Sequence, residues 1–269
     1  MRLLLAAGLV VAGLSVPSHA VTPPVSLYPV GDSITFGSSG AALVHGRRVE
    51  EETPGGYRGT LDALLTRKGT PHLFVGSRTD NASVMQHLDG QNRHEGWPGY
   101  RVDQMVRVTA RQASHVDVAL VMLGTNDVVQ RYDPGTRYPQ GRVAYGDPAQ
   151  RALFVRHLAA RLQGLVDDLQ RQHPGVRVVV ATIPPITATG GVGPPDAVTP
   201  DYARAVRALV AGKQRHGQPV VLADVWSSLL EAGQVRPGDL AQDGVHPTAA
   251  GYSRMAAVFA AAIRGVLAR

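Results

Sequence analysis

The octapeptide Val30-Gly31-Asp32-Ser33-Ile34-Thr35-Phe36-Gly37 puts a hydroxyl just past the glycine that closes an apolar run, Val25 to Val30. A serine hydroxyl is a weak nucleophile until an adjacent base takes its proton. Asp243-Gly244-Val245-His246-Pro247 offers such a base. With Gly244 allowing a turn, the aspartate can accept from one imidazole nitrogen of His246 while the other faces a cleft. In Gly124-Thr125-Asn126-Asp127 the Asn side chain offers two amide donors. The stretch His94-Glu95-Gly96-Trp97-Pro98-Gly99-Tyr100 stands directly ahead of a helix, where backbone N–H groups can stabilise an anion. Donors aimed at a developing oxyanion are worth about 3–4 kcal/mol each. Ser33, Gly99, Asn126, Asp243 and His246 thus supply a nucleophile, two donors, an orienting acid and a base.

Each cluster also has a plainer reading. The first can be a strand followed by a polar turn, the stretch 124–127 an Asn-Asp turn, and His246 one structural histidine among ten. The chemical reading gains weight because all the clusters fall at strand ends. Val25–Val30, His72–Val75, Val116–Leu123, Val176–Ile183 and Val220–Ala223 read as buried strands. Amphipathic stretches alternate with them, over Tyr57–Lys68, Val102–Gln112, from Asp147 to before Pro174, from Thr199 onward, and Thr248–Leu267. Asp147 followed by Pro148 is a helix start, N-cap and first position. Such alternation predicts a parallel five-stranded sheet covered by helices on both faces, in one domain over 21–269. Ligands of open α/β sheets bind at the carboxyl ends of the strands.

The first twenty residues read as a secretory signal peptide: Arg2, an apolar core from Leu3 to Leu14, and the small-x-small site Ser18-His19-Ala20. That core is too short to span a bilayer. The expected location is therefore extracellular or periplasmic, with no stable span in the mature chain. The chain has no cysteine, which excludes disulfides, thiolate metal sites and a cysteine nucleophile. Its net charge of +6 is dispersed, with only Arg47 and Arg48 adjacent, and no nucleic-acid motif accompanies it.

These motifs resemble those of the SGNH (GDSL-type) hydrolases, named for their Ser, Gly, Asn and His. GDSIT at 31–35 is similar to their first block, Gly99 fits the second, GTND at 124–127 the third and DGVHP at 243–247 the fifth. The resemblance implies a three-layer α/β/α, flavodoxin-like fold with Ser33 as nucleophile, His246 as base and Asp243 as acid. It implies an oxyanion hole from the N–H groups of Ser33 and Gly99 and the Asn126 side chain. HEGWPGYRVDQM at 94–105 resembles the second block of family-three carbohydrate esterases, which remove acetyl groups from xylan. A small acyl ester or an acetylated polysaccharide is the implied substrate. Lipase-like or thioesterase-like action on longer chains is the alternative within the superfamily. A non-catalytic carbohydrate- or cell-wall-binding protein is the alternative outside enzymes, and the full set of Ser33, Asp243 and His246 speaks against it.

The G-x-S-x-G elbow of α/β-hydrolases is absent, because Thr35 stands where its last glycine would be. His94-Glu95 hints at a zinc helix, but Pro98 occupies the place of its second histidine, so no metal or cofactor is expected. On the family reading, His94 and Glu95 brace their loop. Trp97, Tyr100, Tyr132 and Tyr138 could stack on sugar rings or simply pack their loops. The Gly- and Pro-rich segments 128–146 and 184–198 have the length of lids or binding walls.

Overall fold

The computed structural model describes residues 23–44, 47–112, 114–135, 143–187 and 197–268. The leader read over 1–20, Tyr138, and parts of the segments 128–146 and 184–198 lie outside them. The chain starts with β1 (Val25–Gly31), α1 (Ser33–Phe36), the hairpin of β2 (Ser38–Val44) and β3 (Arg47–Glu52), α2 (Gly56–Arg67) and β4 (His72–Phe74). A 3-10 turn over Ser83–Leu88 leads to β5 (Glu95–Gly96), α3 (Val102–Thr109), β6 (Val118–Met122), α4 (Thr125–Gln130) and α5 (Pro148–Gln172). Then come β7 (Arg177–Ala181), α6 (Thr199–Arg215), β8 (Val220–Ala223), α7 (Val225–Ser228), a small hairpin of β9 (Leu230–Glu231) and β10 (Gln234–Val235), and α8 (Ala249–Leu267).

All five expected strands form, and they pair in parallel in the order β4-β1-β6-β7-β8. Counted along the chain this is 2-1-3-4-5, the flavodoxin-like order, whose crevice opens beside the first strand. The five-strand expectation needs one correction. Glu95–Gly96 pairs in parallel with Val30 and Gly31 and makes a sixth strand. Two residues carry no periodicity, so no sequence pattern could announce it.

Pro29 stands inside β1, where a missing N–H should break a ladder. Its position explains the tolerance. Leu27 accepts from Val75 and Gly31 accepts from Trp97, so the odd-numbered residues of β1 face β4 and β5. Pairing to β4 ends at Leu27 and pairing to β5 begins at Val30. Pro29 faces the gap between them.

Helices α2 and α8 pack on one face of the sheet, and α3, α5 and α6 on the other. The apolar spacings place their faces as expected: Leu61 and Leu65, Leu158, Leu162, Leu165 and Leu169, Val206 and Val210, and Met255, Phe259 and Ile263 are all buried. Helix α3 stops at Thr109, short of the expected Gln112. Ala110 is exposed, and Thr109 takes the buried place, its hydroxyl bonded back to Met105 and Val106 carbonyls. Asp147 caps α5 from Oδ1 to the N–H groups of Ala149 and Gln150 at 2.9 and 3.2 Å.

The α2–α8 contact is held by Tyr57 stacked on Phe259, rings 4.5 Å apart and both fully buried. Phe259→Ala should cost about 3–5 kcal/mol, seen as a lower urea midpoint at unchanged slope. A loss under about 1 kcal/mol would mean that the two helices close over the gap.

Candidate active site

Strand β1 ends at Gly31, and a side chain there would collide with Thr35, whose Oγ1 lies 2.0 Å from an ideal Cβ. The chain can therefore fold straight into α1. Asp32 caps that helix, its Oδ1 accepting from the Ile34 N–H at 2.9 Å. Ser33 takes the first helical position, where the N–H has no intrahelical partner. Gly37, at φ 110°, turns the chain away after Phe36.

The Asp243–His246 pair sits between β10 and α8, with Gly244 at φ 66° making the turn that the sequence required. His246 Nε2 lies 2.9 Å from Ser33 Oγ. Its Nδ1 lies 2.6 Å from Asp243 Oδ2. Asp243 Oδ1 accepts from the N–H groups of Val245 and His246 at 2.9 and 3.0 Å. Burial pushes the Asp243 carboxyl up, but the His246 ring and the two N–H donors outweigh it and bring it down to about 2. An ionised carboxylate only accepts. It fixes the proton on Nδ1 and leaves the Nε2 lone pair toward Ser33. Gly40, at φ 101°, backs onto this acid, with an ideal Cβ only 3.1 Å from Asp243 Oδ2.

The expected oxyanion segment lies along the same edge. Gly96 presses on α1 so closely that a Cβ would stand 2.5 Å from the Phe36 nitrogen. Trp97 to Tyr100 then form a tight turn, the Tyr100 N–H donating to the Trp97 carbonyl at 3.1 Å. Pro98 in second place and Gly99 at φ 80° in third are the signature of a type II turn. Such a turn points the Gly99 N–H outward, and it has no acceptor among the described residues.

Helix α4 holds that turn with three side chains. Asn126 Nδ2 donates to the Tyr100 carbonyl at 3.0 Å, Gln130 Nε2 to the Gly99 carbonyl at 2.9 Å, and Asp127 Oδ2 accepts from the Val102 N–H at 3.1 Å. The sequence offers Asn126 two donors for the cleft; one of them is held by Tyr100. Gln130 and Asp127 were missed, although Gln130 lies four residues after Asn126 and three after Asp127, both helical spacings.

Ser33, His246 and Asp243 are joined directly, and Asn126 and Gly99 are joined to each other through the turn. His94 is no metal ligand. It is fully buried, its Nδ1 accepting from the Gly96 N–H at 3.0 Å and its Nε2 facing the Asp80 carbonyl at 2.8 Å. Burial, helped by the Arg58 charge, lowers it to about 3, so the ring is neutral. Among the described residues no group of three acidic or imidazole side chains could hold a metal ion, and no helix is long and apolar enough to cross a membrane. The aromatic residues already have protein partners: Trp97 stacks on Tyr100 at 5.3 Å and lies under Arg78 at 4.6 Å, and Arg101 sits 3.8 Å over the Tyr132 ring.

A model of the GDSL-like Lipase/Acylhydrolase family matches residues 30–254. A "Multidomain esterase" of Ruminococcus flavefaciens is 24% identical over 264 residues, covering 90% of this chain and 29% of the relative. This chain thus spans under a third of that protein's length. A family 3 carbohydrate esterase of Clostridium thermocellum superposes with a TM-score of 0.66 at 23% identity, over 91% of this chain and 98% of that one. A mutant acetyl esterase with an acetate ion gives a TM-score of 0.62 at 23% identity, over 91% and 98%.

The Asp127 carboxyl is fully buried, and burial raises it to about 7 against the opposing Val102 N–H and Arg161 charge. An unfolded chain releases that proton near ~3.9. Between these values the native state binds a proton that the unfolded state has lost, so this group makes stability fall as pH rises toward 7 and leaves it level above. Asp127→Asn keeps an acceptor for Val102 and cannot titrate. Its urea midpoint, relative to the parent, should rise from about pH 5 to about pH 8. A difference that is the same at both pH values would show that Asp127 is ionised throughout.

Proposed function

Since the chain belongs to the GDSL-like lipase/acylhydrolase family, we propose that it is an exported serine esterase that removes short acyl groups, above all acetyl, from carbohydrate. The observation that carries this reading is the unbroken chain Ser33 Oγ, His246 Nε2, His246 Nδ1, Asp243 Oδ2, with steps of 2.9 and 2.6 Å across the ring.

In the mechanism, Ser33 Oγ attacks the ester carbonyl carbon while its proton moves to His246 Nε2. The negative charge developing on the carbonyl oxygen is met by the N–H groups of Ser33 and Gly99 and by the free Asn126 amide hydrogen. Asp243 stabilises the imidazolium, which then gives its proton to the departing sugar hydroxyl, and the C–O bond breaks. Water enters, His246 takes a proton from it, and the hydroxide attacks the acyl-Ser33 ester. Collapse releases the acid and returns the proton to Ser33. No step calls for a metal or cofactor. The carbohydrate part of the reading rests on the resemblance of the stretch at 94–105 and accords with the name of the Clostridium thermocellum structure, and the acetyl part with that of the acetyl esterase. Trp97 and Tyr100, the two ends of the turn, and Tyr132, under Arg101, would meet the sugar. Export rests on the signal-like residues 1–20, and the mass of the protein recovered from the medium tests cleavage after Ala20.

Ser33→Ala should melt like the parent and lose about 10⁴-fold or more in kcat. Turnover near the parent's would overturn the assignment. Among p-nitrophenyl esters, kcat/KM should be highest for acetate and fall with chain length, and acetylated xylan should release acetate. A preference for long chains would replace the acetyl reading with a lipase-like one. Asn126→Ala should lower kcat about 10²–10³-fold at nearly constant KM. A raised KM at unchanged kcat would make Asn126 a substrate-positioning group instead.

A further inference from the structure

Glu95 is buried to within 1% and has four donors around its carboxylate. Oε1 accepts from Ser77 Oγ at 2.5 Å and Trp97 Nε1 at 2.8 Å; Oε2 accepts from the Ser77 N–H at 2.9 Å and Tyr28 Oη at 3.4 Å. These donors come from three places. Tyr28 is in β1, Ser77 is on the exit from β4, and Trp97 is the first residue of the turn that carries Gly99. The exit from β4 is itself fixed to the segment before Glu95, because Arg78 and His94 exchange two backbone hydrogen bonds of 3.0 Å.

We propose that Glu95 is a positioning residue for the reaction: through the Trp97 indole it sets the turn that aims the Gly99 N–H at the developing oxyanion. The inference rests on the serine-esterase reading above. Trp97 is held at both ends, its N–H on the Gly31 carbonyl at 3.0 Å and its indole on Glu95. The backbone bond fixes where the residue starts, and the indole bond fixes how the turn leaves it. The Tyr28 phenol is held neutral by burial and by the Glu95 charge, so it remains a donor.

The site accepts a carboxylate and rejects its amide. Each Glu95 oxygen faces one hydroxyl, which could rotate to accept, and one fixed N–H, which cannot. Whichever way a glutamine side chain were turned, its NH₂ would face either the Trp97 indole N–H or the Ser77 N–H. Glu95→Gln therefore breaks the clamp with almost no change in volume. A displacement of the order of 1 Å in a catalytic group can cost about 10²-fold in rate.

The test compares the parent, Glu95→Gln, Trp97→Phe and the double variant for kcat and KM on p-nitrophenyl acetate, with thermal melts beside them. Glu95→Gln should lose about 10- to 100-fold in kcat with KM within about two-fold. Trp97→Phe keeps the ring and removes the donor, so it should lose kcat in the same sense. The double variant should be no slower than Glu95→Gln, because both substitutions cut one connection. Losses that multiply, a loss confined to KM, or parent-like kcat in Glu95→Gln would each overturn the proposal. If Glu95→Gln fails to fold, Trp97→Phe decides alone: lowered kcat at constant KM supports it, and raised KM at constant kcat overturns it. The Ser33→Ala control separates the two levels. An inactive Ser33→Ala with a normal Glu95→Gln removes only this inference, and an active Ser33→Ala removes the esterase reading itself.

Discussion

The geometry at the sheet's edge depends on two glycines, Gly31 and Gly96, at which neighbouring elements meet with no room for a Cβ. An ideal Cβ at Gly31 would stand 2.0 Å from Thr35 Oγ1, and one at Gly96 would stand 2.5 Å from the Phe36 nitrogen. Strand β1, helix α1 and strand β5 are therefore in direct contact. The Trp97 N–H donating to the Gly31 carbonyl closes the arrangement. The turn around Gly99 is thus set by main-chain contacts, and Ser33 by the packing of the Thr35 side chain on Gly31 as well. Main chain has no rotamers to search, which makes it the stiffest means a fold has of fixing two groups.

Helix α1 spans a single turn, too short to be stable alone. Its ends are held by charge and hydrogen bonds. Asp32 caps the amino end, and the fully buried Arg58 donates to the Thr35 and Phe36 carbonyls at 3.0 and 3.1 Å at the other. An acid at the start and a base at the end suit the helix dipole. Burial works against both charges: it raises Asp32 to about 6 and lowers Arg58 to about 10. Arg58 also reaches the Asn81 carbonyl at 3.1 Å, so the same guanidinium ties α1 to the loop after β4.

How much the sequence disclosed depends on whether a period or a short motif records the feature. The five strands, the five long helices and the contact of Ser33, His246 and Asp243 were legible, because apolar periodicity and short motifs record them. The connection of Asp243 to His246 spans three residues, so local turn chemistry sufficed. Glu95–Gly96 as a strand, Gln130 on the Gly99 carbonyl, and the hairpin of β2 and β3 were not. The first has no period, the second involves a glutamine outside every motif, and the third alternates weakly in Ser38–Val44. The sequence leaves the aromatic residues open between sugar stacking and loop packing; in the fold Arg78 and Arg101 lie over Trp97 and Tyr132. Tyr138 falls outside the described residues.

The three contacts from α4 carry a consequence for remodelling this scaffold. Asn126, Asp127 and Gln130 reach the Tyr100 carbonyl, the Val102 N–H and the Gly99 carbonyl from one helical turn. Each residue added to or removed from a helix rotates the remainder of that helix by about 100°. A single-residue insertion between 127 and 130 would swing Gln130 off its carbonyl, and one between 124 and 126 would carry all three away together. Point substitutions there act on one contact at a time, whereas length changes act on the frame that all of them share. A graft that resizes the loop after α4 therefore has to begin beyond residue 130, so that the helix keeps its phase.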